Sequence, residues 1–258
     1  MPLLLTLILL ASFESGLPLG GSAAMLAGNA HPDWRHALTH NPSLASDAPR
    51  WAVTAGYSRP YGLAGVNQAR LAGAAGFGRW SVVAGVGQLG FDRYYEREFG
   101  LAGAFRLSRG VTFGAAGNLL AVSSSPVSSD AAVALDAGVT LGAGRYRFAA
   151  AAARFNRPRF AHGDELPAQL RCGLAAEPLE DLAAALDIGW DGTDAELALG
   201  LELRLLPQLA ARCGGSYPPL GYAAGLGLSA GPVTADYAFR YHAQLRDSHI
   251  LGLSLSCW

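Results

Sequence analysis

The sequence contains no lysine, and only 15% of its 258 residues are charged, where about a quarter is usual in a soluble domain. All 19 basic residues are therefore arginine, and the formal net charge is only -1. Such a chain has no electrostatic basis for holding a polyanion, so nucleic acid is excluded as a partner. The 51% of hydrophobic residues also excludes a disordered chain.

Cysteine is scarce as well. Cys172, Cys213 and Cys257 lie far apart, without the CxxC or CxxH spacing of a zinc site. This spacing excludes a zinc module and a dense disulfide framework. We interpret the three cysteines as small apolar residues, and a disulfide between Cys172 and Cys213 stays open as an alternative.

Residue patterns for catalysis or metal binding are also lacking. His31, His36 and His40 are close in sequence, but their spacing is more typical of chance than of a metal site. The run Asp247-Ser248-His249 has the residue types of a hydrolytic triad, yet neighbours on a strand point to opposite faces and cannot converge. The sequence therefore predicts no enzyme, no metal site and no cofactor.

The one long apolar run is residues 2–11, about the length of a signal-peptide core and too short to cross a bilayer as a helix. Small residues at 21–24 follow it, as in a cleavage site, so we predict that residues 1–23 are a signal peptide. No basic residue precedes the run, which leaves a buried N-terminal helix as the alternative. Beyond it no stretch of about 18 residues lacks charges and turn formers, which excludes a helical inner-membrane protein.

Hydrophobicity instead alternates with a period of two. Between 194 and 205 every second residue from Ala195 to Leu205 is apolar, whereas Glu196, Glu202 and Arg204 share the opposite face. The segments 133–141 and 233–241 repeat this pattern. It is the pattern of a β-strand with one apolar side.

Read in this way, the chain divides into fourteen candidate strands. They lie near residues 50–58, 65–78, 80–91, 94–107, 110–122, 131–142, 145–155, 166–176, 181–190, 194–205, 208–216, 221–230, 232–242 and 247–257. Connections after even-numbered strands are tight turns, and those after odd-numbered strands are mostly longer. This combination is typical of a bacterial outer-membrane barrel.

We therefore predict an all-β fold, a transmembrane antiparallel up-and-down β-barrel of about fourteen strands in contact with outer-membrane lipid. The alternative is a soluble β-sandwich, which would normally carry more charge on its outward positions. No connection is long enough to form an external domain.

Charges of both signs, separated by glycine and alanine, occupy the predicted inner face of the barrel. They are Asp136, Arg171, Asp187, Glu196, Glu202, Arg204, Asp236 and Arg240. Fourteen strands enclose more space than such small side chains fill, so the lumen must hold water, a ligand or a plug. We expect these charges to pair across the wall and to help fix the strand register. They form no ring of one sign that would select one type of ion.

Residues 24–49 precede the first strand and are the candidate plug, or hatch, with a short helical stretch. The predicted organisation is thus a signal peptide at 1–23, a hatch at 24–49 and a barrel at 50–258. Within the hatch, the residues that we predict to control or contact a ligand are Trp34, Asn41 and Pro42.

Both ends of the sequence resemble one family. The stretch GSAAMLAG at 21–28, followed by HNPSLA at 40–45, resembles the N-terminal signature of FadL/PorV-type outer-membrane barrels. GPVTADYA at 231–238, then DSH at 247–249 and alternating leucines, resembles the last hairpin of that superfamily. Between the two ends the resemblance is architectural.

The resemblance implies a fourteen-stranded barrel with an N-terminal hatch in its lumen. FadL-type members pass hydrophobic compounds, whereas PorV/PorQ-like members serve a protein-secretion system and hold its cargo. We therefore predict a bacterial outer-membrane protein that passes or binds small hydrophobic molecules under control of the hatch. The alternatives are a non-conducting accessory barrel that binds secreted cargo proteins and an inert structural barrel.

Three features depart from the family pattern. Ser43 replaces the usual alanine, and the larger extracellular loops are missing. The terminal aromatic Trp258 is one residue out of phase with the alternating leucines, whose parity Cys257 shares. A β-bulge in the last strand would restore the phase.

Overall fold

The computed structural model describes residues 23–124, 128–161 and 165–257. Apart from Ala23, the predicted signal peptide lies outside the described residues, and so does Trp258. Among the described residues, no helix is long and apolar enough to cross a bilayer.

Fourteen antiparallel strands form one closed barrel, in which each strand pairs with its neighbours in sequence and β1 pairs with β14. The strands are β1 (Trp51–Arg59), β2 (Asn67–Phe77), β3 (Trp80–Phe91), β4 (Tyr94–Ser108), β5 (Val111–Ser124), β6 (Ser128–Ala143), β7 (Tyr146–Ala153), β8 (Gln169–Leu179), β9 (Leu182–Trp190), β10 (Ala195–Leu206), β11 (Leu209–Tyr217), β12 (Gly221–Ala230), β13 (Val233–His242) and β14 (Arg246–Cys257). The predicted fold class is confirmed, and the sandwich alternative is wrong because the sheet closes on itself.

The alternation read from the sequence sets the two faces of the wall. On β10, Leu199 is 54% exposed on the outer face, whereas its neighbour Ala198 is 7% exposed on the inner face. The same relationship holds on β6 for Leu135 and Ala134. An apolar outer face and a small or polar inner face suit a barrel surrounded by lipid.

Cys172 and Cys213 are both free and exposed, so the alternative disulfide between them does not form. Cys213 lies on β11 opposite the outward-facing Leu201 of β10. The interpretation of these cysteines as small residues of the apolar face is consistent with this placement.

One end of the barrel, here called the turn end, carries the tight connections after even-numbered strands, as at residues 144–145 and 231–232. The opposite loop end carries the longer connections. Register shifts occur next to three tight turns, between Arg106 and Ser108, between Ala176 and Leu179, and between Arg204 and Leu206. Beyond these, the pairing of β14 with β1 and β13 is continuous, so no bulge within its paired residues changes the phase of Cys257.

The described residues before β1, from Ala23 onward, lie inside the barrel. They include two short 3₁₀ helices, η1 (Trp34–His36) and η2 (Pro42–Asp47). Met25 and Leu44 of this segment are fully buried. We call the described residues 23–49 the plug.

Candidate functional site

Small residues of the wall leave the space that the plug fills. Ala23 and Ala24 pack against one group of wall residues, and Met25, Ala27 and Ala30 pack against another. Those wall residues are Ala223, Ala238 and Ile250 in the first case, and Ala149, Ala175, Ala185 and Ala198 in the second. The alanine-rich inner face is therefore the surface against which the plug packs.

Two wall glycines are required where η2 and its N-cap residue approach the wall. A Cβ on Gly138 would lie 2.0 Å from the Asn41 side-chain oxygen, and one on Gly114 would lie 2.2 Å from the Ser43 nitrogen. Both distances are shorter than any real contact to a Cβ. Even alanine at either position would push η2 away from the wall.

Asn41 and Pro42 begin η2 and shape it. The Asn41 carboxamide oxygen accepts hydrogen bonds from the backbone nitrogen and the hydroxyl of Ser43, at 3.0 and 2.7 Å, which is an N-cap arrangement. Pro42 occupies the first turn, where a missing N–H costs nothing. The Asn41 amide nitrogen also donates to the Asn29 carbonyl oxygen at 3.1 Å, which ties the two parts of the plug together.

Ser43, the residue that departs from the family pattern, contacts the wall directly. Its Oγ lies 2.6 Å from Thr140 Oγ1 on β6. The serine therefore adds a hydrogen bond between plug and wall that an alanine would lack.

Asp187 on β9 holds the opposite side of the plug. Its Oδ2 accepts hydrogen bonds from the backbone nitrogens of Gly28 and Asn29, at 2.7 and 2.8 Å. The side chain is almost fully buried, and hydrogen bonds to a carboxylate are stronger than those between neutral groups. This pair of bonds fixes the backbone of the plug at one point on the wall.

A network of ion pairs joins the plug to β10, β11 and β13. Arg35 of the plug lies 2.9 Å from one oxygen of Asp236, and Arg212 lies 2.9 Å from the other. Arg212 also pairs with Glu202 at 2.5 Å. Within the plug, burial raises the pKa of Asp33, but the guanidinium of Arg35 at 2.8 Å outweighs it and holds that pKa well below its usual range.

The lumen charges therefore behave differently from the prediction. We expected pairing across the wall, and Arg212 does link Glu202 to Asp236, but several of the charges bind the plug instead. Arg171 donates to the Thr39 carbonyl oxygen of the plug at 2.8 Å, and Asp187 and Asp236 also bind plug residues. Asp136, in contrast, accepts from Asn118 and from the Arg154 backbone nitrogen, outside the plug. The reason is that the plug brings its own polar groups into reach of the inner face.

Sequence reasoning missed Arg212, Arg35 and Asp33. Arg212 lies on the same face of β11 as Ala210 and Gly214 and is directly opposite Glu202 of β10, so its parity was a usable signal. Arg35 and Asp33 carry no such signal, because their positions depend on the path of the plug.

The plug divides the free space of the lumen between the two ends. A cavity of about 440 Å³ lies at the loop end, and cavities of about 370 and 600 Å³ lie at the turn end. Glu196 and Arg240 line the loop-end cavity with Arg171 and Asp187, whereas Arg204 and Glu202 line the larger turn-end cavity. The loop-end cavity shares no lining residue with either turn-end cavity.

Trp34, Asn41 and Pro42 line none of these three cavities. Trp34 is 7% exposed and packs with Leu38 against alanines of the wall, and Asn41 is fully buried. The structure thus places these residues inside the plug, where they hold its shape. Their role in a hatch stays a prediction.

Three plug histidines lie close together. His36 Nδ1 is 3.3 Å from His40 Nδ1, and the His31 ring meets the His36 ring edge to face at 6.5 Å. Burial lowers the pKa of His36 to about 4. Within the described part of the chain, no group of three or more histidine, cysteine or acidic side chains is arranged to hold a metal ion.

The Asp247-Ser248-His249 run does not converge. His249 lies 3.4 Å from Asp247, while Ser248 accepts a hydrogen bond from the Tyr61 backbone nitrogen at 2.8 Å and lines the loop-end cavity. Ser248 and its neighbours therefore lie on opposite faces of β14, as the alternation predicts.

Solved structures that share this fold include two toluene transporters and a FadL homologue. The toluene transporter TodX of Pseudomonas putida aligns with a TM-score of 0.73 and 14% identity, over 93% of this chain and 99% of that one. The toluene transporter TbuX of Ralstonia pickettii gives 0.70 and 12%, over 94% and 100%. A FadL homologue of Pseudomonas aeruginosa gives 0.58 and 11%, over 92% and 96%.

Comparison with protein-family models and with curated protein sequences gives no significant match. The structural comparisons confirm the resemblance to FadL-type barrels at the level of the fold. The PorV/PorQ-like subtype stays a prediction.

Proposed function

We propose that this protein is a bacterial outer-membrane barrel that passes small hydrophobic molecules, and that the plug acts as its hatch. The observation that carries the proposal is the separation of the lumen into loop-end and turn-end cavities by residues 23–49. A molecule crossing through the lumen must displace part of the plug. The named activity of TodX and TbuX as toluene transporters supports the choice of cargo class.

The outer surface supports the membrane location. Large apolar side chains such as Leu101, Leu199 and Leu253 are more than half exposed, which is unfavourable in water and favourable in lipid. In outer-membrane barrels the short turns face the periplasm, so the turn end is assigned to the periplasm and the loop end to the exterior. Export by a signal peptide at residues 1–23 belongs to the same proposal.

The cargo-binding alternative has less support. A barrel that holds exported proteins needs an extended docking surface. In the longest described connection at the loop end, between β7 and β8, Phe160 and Leu166 instead pack inward against Leu120 and Ala134. Passage of small molecules is therefore the function that the geometry favours.

Entry of N-phenyl-1-naphthylamine into intact Gram-negative cells tests the proposal. The probe is apolar, and it fluoresces when it reaches membrane lipid behind the outer leaflet. Cells that produce the full chain should take it up faster than cells without the protein, while a polar dye of similar size should stay outside.

A chain lacking residues 24–49 should admit both dyes, because the polar inner face would then line an open lumen. Resistance of the folded barrel to detergent at room temperature serves as the folding control for this variant. Equal entry of the apolar probe with and without the full chain would overturn the proposal.

A further inference from the structure

The smaller turn-end cavity, of about 370 Å³, has an unusual charge distribution. Four guanidinium groups line it, against two carboxylates. The arginines are Arg106, Arg109, Arg145 and Arg147, and the acids are Asp47 and Glu177. The neighbouring cavity of about 600 Å³ is balanced, with two arginines and two acids.

Two adjacent hairpins create this cluster. Arg109 and Arg145 lie in the β4–β5 and β6–β7 turns, and Arg106 and Arg147 lie on the strands next to them. The two turns are joined because the Gly142 nitrogen donates to the Gly110 carbonyl oxygen at 2.7 Å. The pairing of β5 with β6 therefore brings all four arginines to one side of the rim.

The two strand arginines already hold oxygen atoms of the plug. Arg147 Nη2 lies 2.6 Å from Asp47 Oδ2, and Arg106 Nη2 donates to the Ser46 carbonyl oxygen at 2.7 Å. The Asp47 carboxylate thus shows that the cavity accommodates an anionic group next to Arg147. The planar guanidinium fork suits both carboxylate and phosphate.

The two turn arginines retain donor capacity. Arg145 Nη1 donates to the Pro178 carbonyl oxygen at 2.9 Å, which uses one of its five N–H groups. The Arg109 side chain forms no hydrogen bond or ion pair with any described residue. Both are exposed at the mouth of the cavity, where an incoming anion would meet them first.

We propose that this cavity binds the anionic head group of a carboxylate or phosphate compound from the turn end, in competition with Asp47 for Arg147. Arg109 and Arg145 attract the anion, and Arg147 receives it when Asp47 is displaced. Displacement of Asp47 removes one of the contacts that hold the last turn of η2. Anion binding and seating of this part of the plug therefore oppose each other, and each weakens the other by the same factor.

Calorimetric titration of the full chain in zwitterionic detergent tests the site, with octanoate and inorganic phosphate as separate probes. The wild type should bind at least one of them saturably. The double variant Arg109→Gln/Arg145→Gln should bind roughly tenfold more weakly, because two charge-assisted contacts are lost. Arg97→Gln is the matched control, since Arg97 is an exposed arginine of β4 that bonds Gln88 away from this cavity.

The variant Asp47→Asn should bind the anion roughly tenfold more tightly, because the internal competitor loses its charge. Nanodiscs separate the sources of the head group. The double variant measures how far the anionic surface of phosphatidylglycerol discs repels octanoate. A larger loss of octanoate affinity from phosphatidylcholine to phosphatidylglycerol discs in the wild type than in the double variant assigns the cavity to an anionic lipid head group, and an equal loss assigns it to a soluble or transported anion.

Absence of saturable binding to the wild type overturns the proposal. Equal affinity in the double variant and in Arg97→Gln also overturns it. Unchanged affinity in Asp47→Asn would contradict the proposed competition between Asp47 and the anion for Arg147. The titration measures equilibrium binding at one end of the barrel, so its outcome is independent of whether hydrophobic molecules pass through the lumen.

Discussion

Asp187 on β9 fixes Asn29 of the plug through a carboxylate oxygen 2.8 Å from the Asn29 backbone nitrogen. The two residues are separated by 158 positions in the sequence. A second bond from the Gly28 nitrogen reaches the same oxygen at 2.7 Å. One buried side chain of the wall therefore determines where the first half of the plug lies.

Replacing Asp187 by Asn should loosen this half of the plug. The amide keeps the shape of the side chain but removes the charge that strengthens both bonds, at a cost of about 1–3 kcal/mol. Hydrogen exchange at residues 24–30 should become faster while exchange in the strands stays unchanged. Asp191→Asn is the control, because Asp191 accepts bonds from Thr193 and Asp194 in an exposed loop. Unchanged protection of residues 24–30 would contradict the role of Asp187.

Replacing Gly138 by Ala should displace η2. The added methyl group would lie 2.0 Å from the Asn41 oxygen, and overpacking of this kind costs roughly 1–3 kcal/mol. The midpoint of urea unfolding in lipid vesicles should fall. Gly117→Ala on β5 is the matched control, since its added Cβ meets Leu135 at an ordinary 3.8 Å. Equal midpoints for the two variants would show that η2 does not press on Gly138.

The sequence predicted which face of the wall a strand residue occupies, but it did not predict which plug residue a wall residue contacts. The faces of Leu199 and Ala198 follow from alternation along a single strand, which is local information. The partners of Asp187 depend on the three-dimensional path of the plug, which contains few regular elements and no periodic pattern. Ser43 is one of the departures from the family pattern, and its bond to Thr140 depends equally on that path.

The bounds of the strands were likewise predicted well where the alternation is regular and less well where the backbone departs from it. The predicted strand 194–205 differs by one residue at each end from β10, because alternation is strict there. The predicted strand 145–155 is longer than β7, which ends at Ala153. Arg154 has a φ of 53°, a left-handed conformation that ends the strand and that alternation does not reveal.

Acidification should weaken the packing of the plug. Burial lowers the pKa of His36 from 6.5 to about 4, so the folded plug holds it neutral. Stability from this group is complete above pH 6.5 and declines as pH falls towards 4, because the unfolded chain then binds the proton first. The decline is roughly 1 kcal/mol per pH unit for one such histidine.

The thermal unfolding midpoint at pH 7 and pH 5 measures this effect. His36→Phe should reduce the difference between the two midpoints, and the exposed His249→Gln should leave it unchanged. His31 and His40 add to the difference, because burial lowers the pKa of each of them too. A difference as large in His36→Phe as in the wild type would contradict a neutral, buried His36.

Locking the plug to the wall tests the hatch most directly. Ser43 and Thr140 already meet at 2.6 Å, so cysteines at both positions should form a disulfide between plug and wall. Thr54 and Ser254 meet at 2.7 Å within the wall itself and supply the matched control pair. Both variants are made in a chain whose native cysteines are replaced by alanine.

The measurement is the rate of N-phenyl-1-naphthylamine entry into cells before and after addition of a reductant. With Ser43→Cys/Thr140→Cys, entry should be slow when the disulfide is formed and should rise to the wild-type rate on reduction. With Thr54→Cys/Ser254→Cys, entry should be the same in both states. Wild-type entry through the oxidised plug-to-wall variant would show that molecules cross without movement of the plug, and would contradict the hatch.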